Sequence, residues 1–229
     1  MIRVRRSAAG GATSPGRVPP YDVPTVAPFN APIFMPIQTV DGTGSTLHPS
    51  VVDFGPLVPS GRWRGWRYWM THTPYYLENS DVENPHIAVS NDGWNWQDPT
   101  GTVRELYPKP AGGFNADADL SYNPDTDELV MIFISGGVGW QIVTSPDGVT
   151  WPTNRPVLSA LVRQAPSLVR RGPGDWWLFS TSLDEPEMTV SRAANPTGPW
   201  SGTAHGSGLL NSWHADVIWD AGYFRALMY

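Results

Sequence analysis

From residue 40 onward the chain repeats itself at intervals near 50 residues, and nothing else in it restricts the fold as strongly. One marker is a strand start: Leu47-His48-Pro49-Ser50-Val51-Val52, Ala116-Asp117-Ala118-Asp119-Leu120-Ser121, Gln164-Ala165-Pro166-Ser167-Leu168-Val169 and Trp213-His214-Ala215-Asp216-Val217-Ile218. Its Pro/Ala positions 49, 118, 166 and 215 stand 69, 48 and 49 residues apart. The second marker is a turn followed by tryptophan: Ser90-Asn91-Asp92-Gly93-Trp94-Asn95-Trp96, Ser145-Pro146-Asp147-Gly148-Val149-Thr150-Trp151, and the looser Asn195-Pro196-Thr197-Gly198-Pro199-Trp200. Trp96, Trp151 and Trp200 are 55 and 49 apart, in step with the first marker. Asp-Gly between apolar runs is a hairpin signal, because both residues accept the positive φ of a tight turn.

Between the markers lie aromatic and β-branched runs of strand length, such as Glu128-Leu129-Val130-Met131-Ile132-Phe133 and Trp176-Trp177-Leu178-Phe179-Ser180. The repeating unit therefore reads strand, strand, strand, turn, Trp, short strand. Four-stranded units in phase predict an all-β fold, a β-propeller, in preference to a sandwich, which has no reason for in-phase motif copies. With 24 Pro and 23 Gly there is little room for long helices. The predicted blades cover about 45–109, 110–160, 161–207 and a partial fourth, 208–229. Blade four stops after its second strand, so something beyond Tyr229, in this chain or a neighbour, is expected to cover its edge.

Residues 1–40 differ in kind. Pro15, Pro19, Pro20, Pro24, Pro28, Pro32 and Pro36 exclude helix and central strand alike, leaving an extended Pro-rich N-terminal arm. It reads either as a linker or as an arm docking its apolar residues, Phe29, Phe34 and Ile37, on a neighbour. Residues 1–36 carry four Arg against Asp22, so the remaining body holds more than the whole net charge of −6, which argues against a nucleic-acid partner. No apolar run reaches membrane-spanning length, and no membrane insertion is expected. With no Cys, disulfides and zinc-thiolate sites are excluded.

In a propeller the first strand of each blade lines a central channel. Residues two apart share a side of a strand, so His48 with Ser50, Asp117 with Asp119, Ala165 with Ser167, and His214 with Asp216 are expected to converge there. Such a polar lining could hold a cation such as calcium, act as acid and base, grip sugar hydroxyls, or simply be filled by water, and no cofactor is required. Trp96, Trp151 and Trp200, being in phase, are read as packing residues. Trp63, Trp66, Trp94, Trp140 and Trp213 are candidates for stacking on sugar rings. Glu78, Asp81 and Glu83 read as a solvated loop or as a rim of the channel mouth.

The segments His48-Pro49-Ser50-Val51, Gln164-Ala165-Pro166-Ser167 and Trp213-His214-Ala215-Asp216-Val217 resemble inner strands of the five-bladed propellers of glycoside hydrolase family 43 and related fructan-cleaving families. That resemblance implies a five-bladed type, of which about three and a half blades stand in this chain, with carboxylates on inner strands. Asp117, Asp119 and Asp216 are the candidate catalytic residues, and His48, Ser50, Gln164, Trp213 and His214 the candidate ligand-binding ones. The pattern departs where His48 occupies the base position and Gln164 the acid position, since a neutral amide cannot protonate a leaving group. Glu83-Asn84-Pro85-His86-Ile87-Ala88-Val89-Ser90-Asn91-Asp92-Gly93 and the run from Asp117 to Asp127 resemble minor tail proteins of bacteriophages that infect actinobacteria. This second resemblance implies a virion tail component, assembled in the host cytoplasm and acting outside the cell. Residues 1–40 would bind other tail proteins, and the channel mouth would meet host cell-surface carbohydrate. Binding without cleavage, hydrolysis of the glycan, and a purely architectural role remain the alternatives.

Overall fold

The computed structural model describes residues 4–5, 35–111, 113–159, 164–181, 188–206 and 214–228. It is built of successive antiparallel sheets. The first contains β1 (Val4–Arg5), β2 (Thr46–Asp53), β3 (Tyr68–Pro74) and β4 (His86–Ser90) in that order, β1 running parallel to β2. The second is β5 (Asn115–Asn123), β6 (Glu128–Ser135), β7 (Gly139–Ser145) and β8 (Val157–Ser159). The third is β9 (Gln164–Gly172), β10 (Asp175–Thr181), β11 (Met188–Ala193) and β12 (Ser201–Gly206), and the last is the hairpin β13 (Ala215–Asp220) with β14 (Tyr223–Met228).

The inner strands β2, β5, β9 and β13 pack side by side in chain order, and the first sheet takes in β1 from the segment read as the arm. The sheets do not close into a ring among the described residues. Blade one departs from the expected pattern at its outer edge, where the fourth strand shrinks to a single bridge between Val89 and Gln97. Of the predicted arm, 1–3 and 6–34 lie outside the described residues, while Met35 and buried Ile37 pack on this chain's own blade one, against Val51, Met70 and Trp96.

Burial follows the two-residue period of a strand covered on both faces. On β6, Leu129, Met131 and Phe133 turn towards blade one, joining Val52, Trp69 and Leu120, while Val130, Ile132 and Ile134 turn towards blade three, joining Leu168, Trp176 and Leu178. Val169, Phe179 and Val217 continue the series between blades three and four. Each sheet is thus held chiefly by its neighbours.

The Asp-Gly turns behave as their sequences imply. Asp92 Oδ1 accepts the N–H groups of Trp94 and Asn95, both at 2.8 Å, and Asp147 Oδ1 accepts those of Val149 and Thr150 at 2.8 and 2.6 Å. The indole N–H of Trp96 reaches the Gly93 carbonyl at 3.0 Å, and that of Trp151 the Gly148 carbonyl at 3.1 Å. Gly148 is obligatory: at φ 73° a Cβ there would stand 2.1 Å from Cζ3 of Trp69 in the preceding blade. No described helix is long and apolar enough to cross a membrane.

Candidate functional site

The inner strands share a local device that alternation alone does not predict. Pairing of β2 with β3 runs Leu47 to Thr73 and then jumps to Ser50 with Thr71. The β5–β6 ladder jumps from Ala116 with Ile134 to Asp119 with Ile132, and the β9–β10 ladder from Gln164 with Thr181 to Ser167 with Phe179. One extra residue is inserted each time, a β-bulge, and one residue of each bulge sits in the left-handed region: His48 at φ 49°, Asp117 at 51° and Ala165 at 45°. His and Asp tolerate this conformation better than most side chains.

The bulge parts residues that strict alternation would put together. Ser50, Asp119 and Ser167 turn sideways and tie each blade to the next. The N–H of Leu120 donates to Ser50 Oγ at 3.0 Å, that of Leu168 to Asp119 Oδ2 at 2.6 Å, and that of Val217 to Ser167 Oγ at 2.9 Å. Ser50 Oγ also donates to Asp119 Oδ1 at 2.6 Å. Asp119 and Ser167 are only 4% and 1% exposed, so this layer is interior structure and no open wall of a channel.

The bulge residues themselves gather at one end of the inner strands. His48 Nδ1 lies 2.9 Å from Asp117 Oδ1, His48 Nε2 lies 3.1 Å from His214 Nε2, and the two imidazoles are 4.1 Å apart centre to centre. One ligand atom from each of His48, Asp117 and His214 falls within 4.8 Å of the others. Asp117 is fixed from behind, its Oδ2 accepting the N–H of Ala165 at 3.2 Å. Two imidazole nitrogens at this separation repel through their lone pairs unless a proton or a cation lies between them. Burial, and then the charge of His48, lower His214 to about 4, so that it is neutral at physiological pH. Burial alone would raise Asp117, but the bond and charge of His48, aided by His214 and the Ala165 N–H, hold it below the usual carboxylate range. Two imidazoles and one carboxylate whose ligand atoms lie this close together are a suitable donor set for a divalent cation.

The sequence pattern placed Glu83, with Glu78 and Asp81, in a solvated loop or on the rim of the channel mouth, with no part in chemistry. Glu78 and Asp81 are exposed as a solvated loop would be, but Glu83 is 7% exposed. A short 3-10 turn, Ser80–Val82, delivers it, and its carbonyl accepts the N–H of Asn115, two residues before Asp117, at 3.2 Å. Burial first, then the charge of Asp117, push its carboxyl up to about 7, against the opposing pull of His48.

Of the remaining candidates, Asp216 is half-buried on β13 in register with Leu227, at the position that Ser50, Asp119 and Ser167 occupy in earlier blades, and outside the His48–Asp117–His214 group. Gln164 opens β9 opposite Thr181, and its side chain, like the whole of Trp213, lies outside the described residues. Trp63 and Trp140 are core residues, whereas Trp94 is 51% exposed.

No family model matches the chain. Its backbone resembles that of a glycoside hydrolase family 62 α-L-arabinofuranosidase catalytic domain from Coprinopsis cinerea, with a TM-score of 0.60 at 15% identity over 86% of this chain and 64% of that one. It also resembles an N-acetylgalactosamine deacetylase from F. plautii solved with blood group B trisaccharide, with a TM-score of 0.62 at 24% identity over 76% of this chain and 59% of the other. These likenesses establish an all-β fold of the glycoside hydrolase propeller kind. In sequence, 113 residues are 36% identical to the A type blood N-acetyl-α-D-galactosamine deacetylase of Flavonifractor plautii, a match covering 45% of this chain and 14% of that protein. The relative in sequence is thus a carbohydrate-active enzyme of which this chain covers 14%, and the chain spans less than two thirds of either solved structure.

Proposed function

We propose that this domain is a carbohydrate-active hydrolase that removes an acyl group from an N-acylated sugar with the help of a divalent cation held by His48, Asp117 and His214. The observation that carries this reading is the convergence of those three side chains from three different inner strands. Two imidazoles favour a cation such as zinc over calcium, which takes six to eight oxygen ligands. Bound there, the cation would supply Lewis acidity to polarise an amide carbonyl. Glu83, once deprotonated, takes a proton from the attacking water and returns it to the departing nitrogen, giving acetate and a free amine. Its raised pKa suits both transfers near neutral pH.

The glycosidase alternative built on Asp117, Asp119 and Asp216 is less well supported. It requires two carboxyl groups facing each other across one bond, and Asp119 is committed to Ser50 and the Leu168 N–H. The deciding experiment incubates the protein with a glycan ending in N-acetylgalactosamine and measures acetate and reducing sugar together. Acetate release that a chelator stops supports deacylation. Reducing sugar without acetate would move the assignment to glycoside cleavage.

A virion-tail location, with residues 1–40 binding other tail proteins and the domain meeting host glycan, is a separate proposal that rests on sequence resemblance alone. Deleting residues 1–36 is expected to leave a folded domain that no longer joins particles, and normal incorporation would refute it.

A further inference from the structure

The connection between β3 and β4 passes from solvent to interior within a few residues. Tyr76 to Ser80 are exposed and neither of its short 3-10 turns buries a residue, whereas Glu83 is 7% exposed and Asn84 0%. Leu77 and Glu78 stand in the left-handed region at φ 54° and 58°, a conformation costly for side chains with a Cβ and kept only where the chain is held firmly nearby. Asn84 is where it is held. Its Nδ2 donates to the Tyr107 carbonyl, its Oδ1 accepts from Asn115 Nδ2 at 3.2 Å, and its carbonyl lies 2.8 Å from His86 Nδ1. Tyr107 is itself buried against Phe133 of β6, ring centres 5.3 Å apart, and Asn115 opens β5. Both side-chain partners are therefore anchored in blade two.

The residues beside these bonds are the ones the chemistry needs. Glu83 directly precedes Asn84, with its N–H on the Ser80 carbonyl at 3.1 Å and its carbonyl on the Asn115 N–H. Asp117 follows Asn115 by two residues on β5. We infer that Asn84 is a positioning residue: it holds Glu83, the proton-transferring group of blade one, at a fixed distance from Asp117, the cation ligand of blade two. A primary amide suits the task, since it offers a donor and an acceptor at once and carries no charge into the interior. Removing it leaves the Tyr107 carbonyl and the Asn115 amide without that partner and frees the end of a strained connection. Proton transfer demands placement to within a fraction of an ångström, which a carboxyl on an exposed loop does not have unless its backbone is tied.

The inference rests on the role proposed above for Glu83, so its test reads both the activity and the burial of that residue. In the zinc-loaded full chain, with a glycan ending in N-acetylgalactosamine, Asn84→Ala should lower kcat for acetate release roughly tenfold to hundredfold while KM and zinc affinity are kept. The second readout needs neither cation nor substrate. A Glu83 carboxyl held in the interior resists ionising, so Glu83→Gln should raise Tm more at pH 8 than at pH 5. In the Asn84→Ala background that extra gain should fall by about half or more, because the released carboxylate reaches water. Asn115→Ala removes a single bond to Asn84 and should move both readouts the same way by less, and it decides the matter if circular dichroism shows Asn84→Ala unfolded. An undiminished gain in the folded variants, an unchanged kcat where the wild type is active, or no extra gain at pH 8 from Glu83→Gln alone overturns the inference. A wild type that releases no acetate removes the hydrolase reading, and the melting comparison still decides whether Asn84 holds Glu83.

Discussion

If His48, Asp117 and His214 hold one cation as proposed, the consequences for single residues are sharp. Asp117→Asn keeps the size of the side chain and an acceptor for the Ala165 N–H but removes the charge. It should lower activity by at least about a hundredfold, beyond the roughly 10–100-fold cost of losing an outer-shell partner, and should weaken cation binding in a metal titration while leaving Tm nearly unchanged. Glu83→Gln should reduce turnover by about 10²–10⁴-fold with cation affinity intact, and wild-type activity should climb as pH rises through about 7, where Glu83 loses its proton. The same group affects stability. Its folded pKa of about 7 exceeds the reference 4.5, so the native state binds the proton more tightly, and the stabilisation is complete below 4.5 and lost as pH rises through 7. Glu83→Gln should therefore melt higher than wild type at pH 8, and an unchanged or lower Tm would contradict the burial of a charged carboxylate.

At the scale of strands and turns, the sequence was legible wherever backbone chemistry is written in residue type. Asp147-Gly148 and Asp92-Gly93 announced their turns, and the tryptophans behind them pack where in-phase residues should. Gly148→Ala should cost about 2–4 kcal/mol in denaturant unfolding, since the new methyl both strains a positive φ and collides with Trp69. The bulges were not legible. Alternation put Asp119 beside Asp117, whereas the extra residue sends Asp119 to the next blade. The trace in the sequence was the residue types His48 and Asp117 ahead of Pro49 and Ala118, which fit a left-handed position, but strand periodicity carries no term for an inserted residue. Asp119→Ala should thus lower stability by about 1–3 kcal/mol, leaving the Leu168 N–H buried without a partner and the Ser50 hydroxyl without its short bond. A variant with normal Tm and lost activity would instead return Asp119 to the reaction.

For the whole molecule, the burial of His72 in the first sheet adds a weakness towards acid. His72 is buried at 1% exposure beside His86, with Thr46 Oγ1 2.8 Å from its Nδ1, and desolvation, then His86, lower it to about 3. A histidine so depressed lends its full stabilisation above about 6.5 and loses it as pH falls towards 3. Tm should decline steadily over that interval and do so less steeply in His72→Gln.

The left-handed bulge at His48, Asp117 and Ala165 has a wider meaning. Because the ladder resumes two residues later, at Ser50, Asp119 and Ser167, the presented side chain stands outside the strand pairing, although Asp117 is also tied to the next blade through the Ala165 N–H. Each blade offers a socket whose occupant can be exchanged at little cost to folding. In this protein the sockets of blades one and two hold an imidazole and a carboxylate, and blade three contributes a bare methyl, Ala165. Reactivity in such a domain can be rewritten one socket at a time.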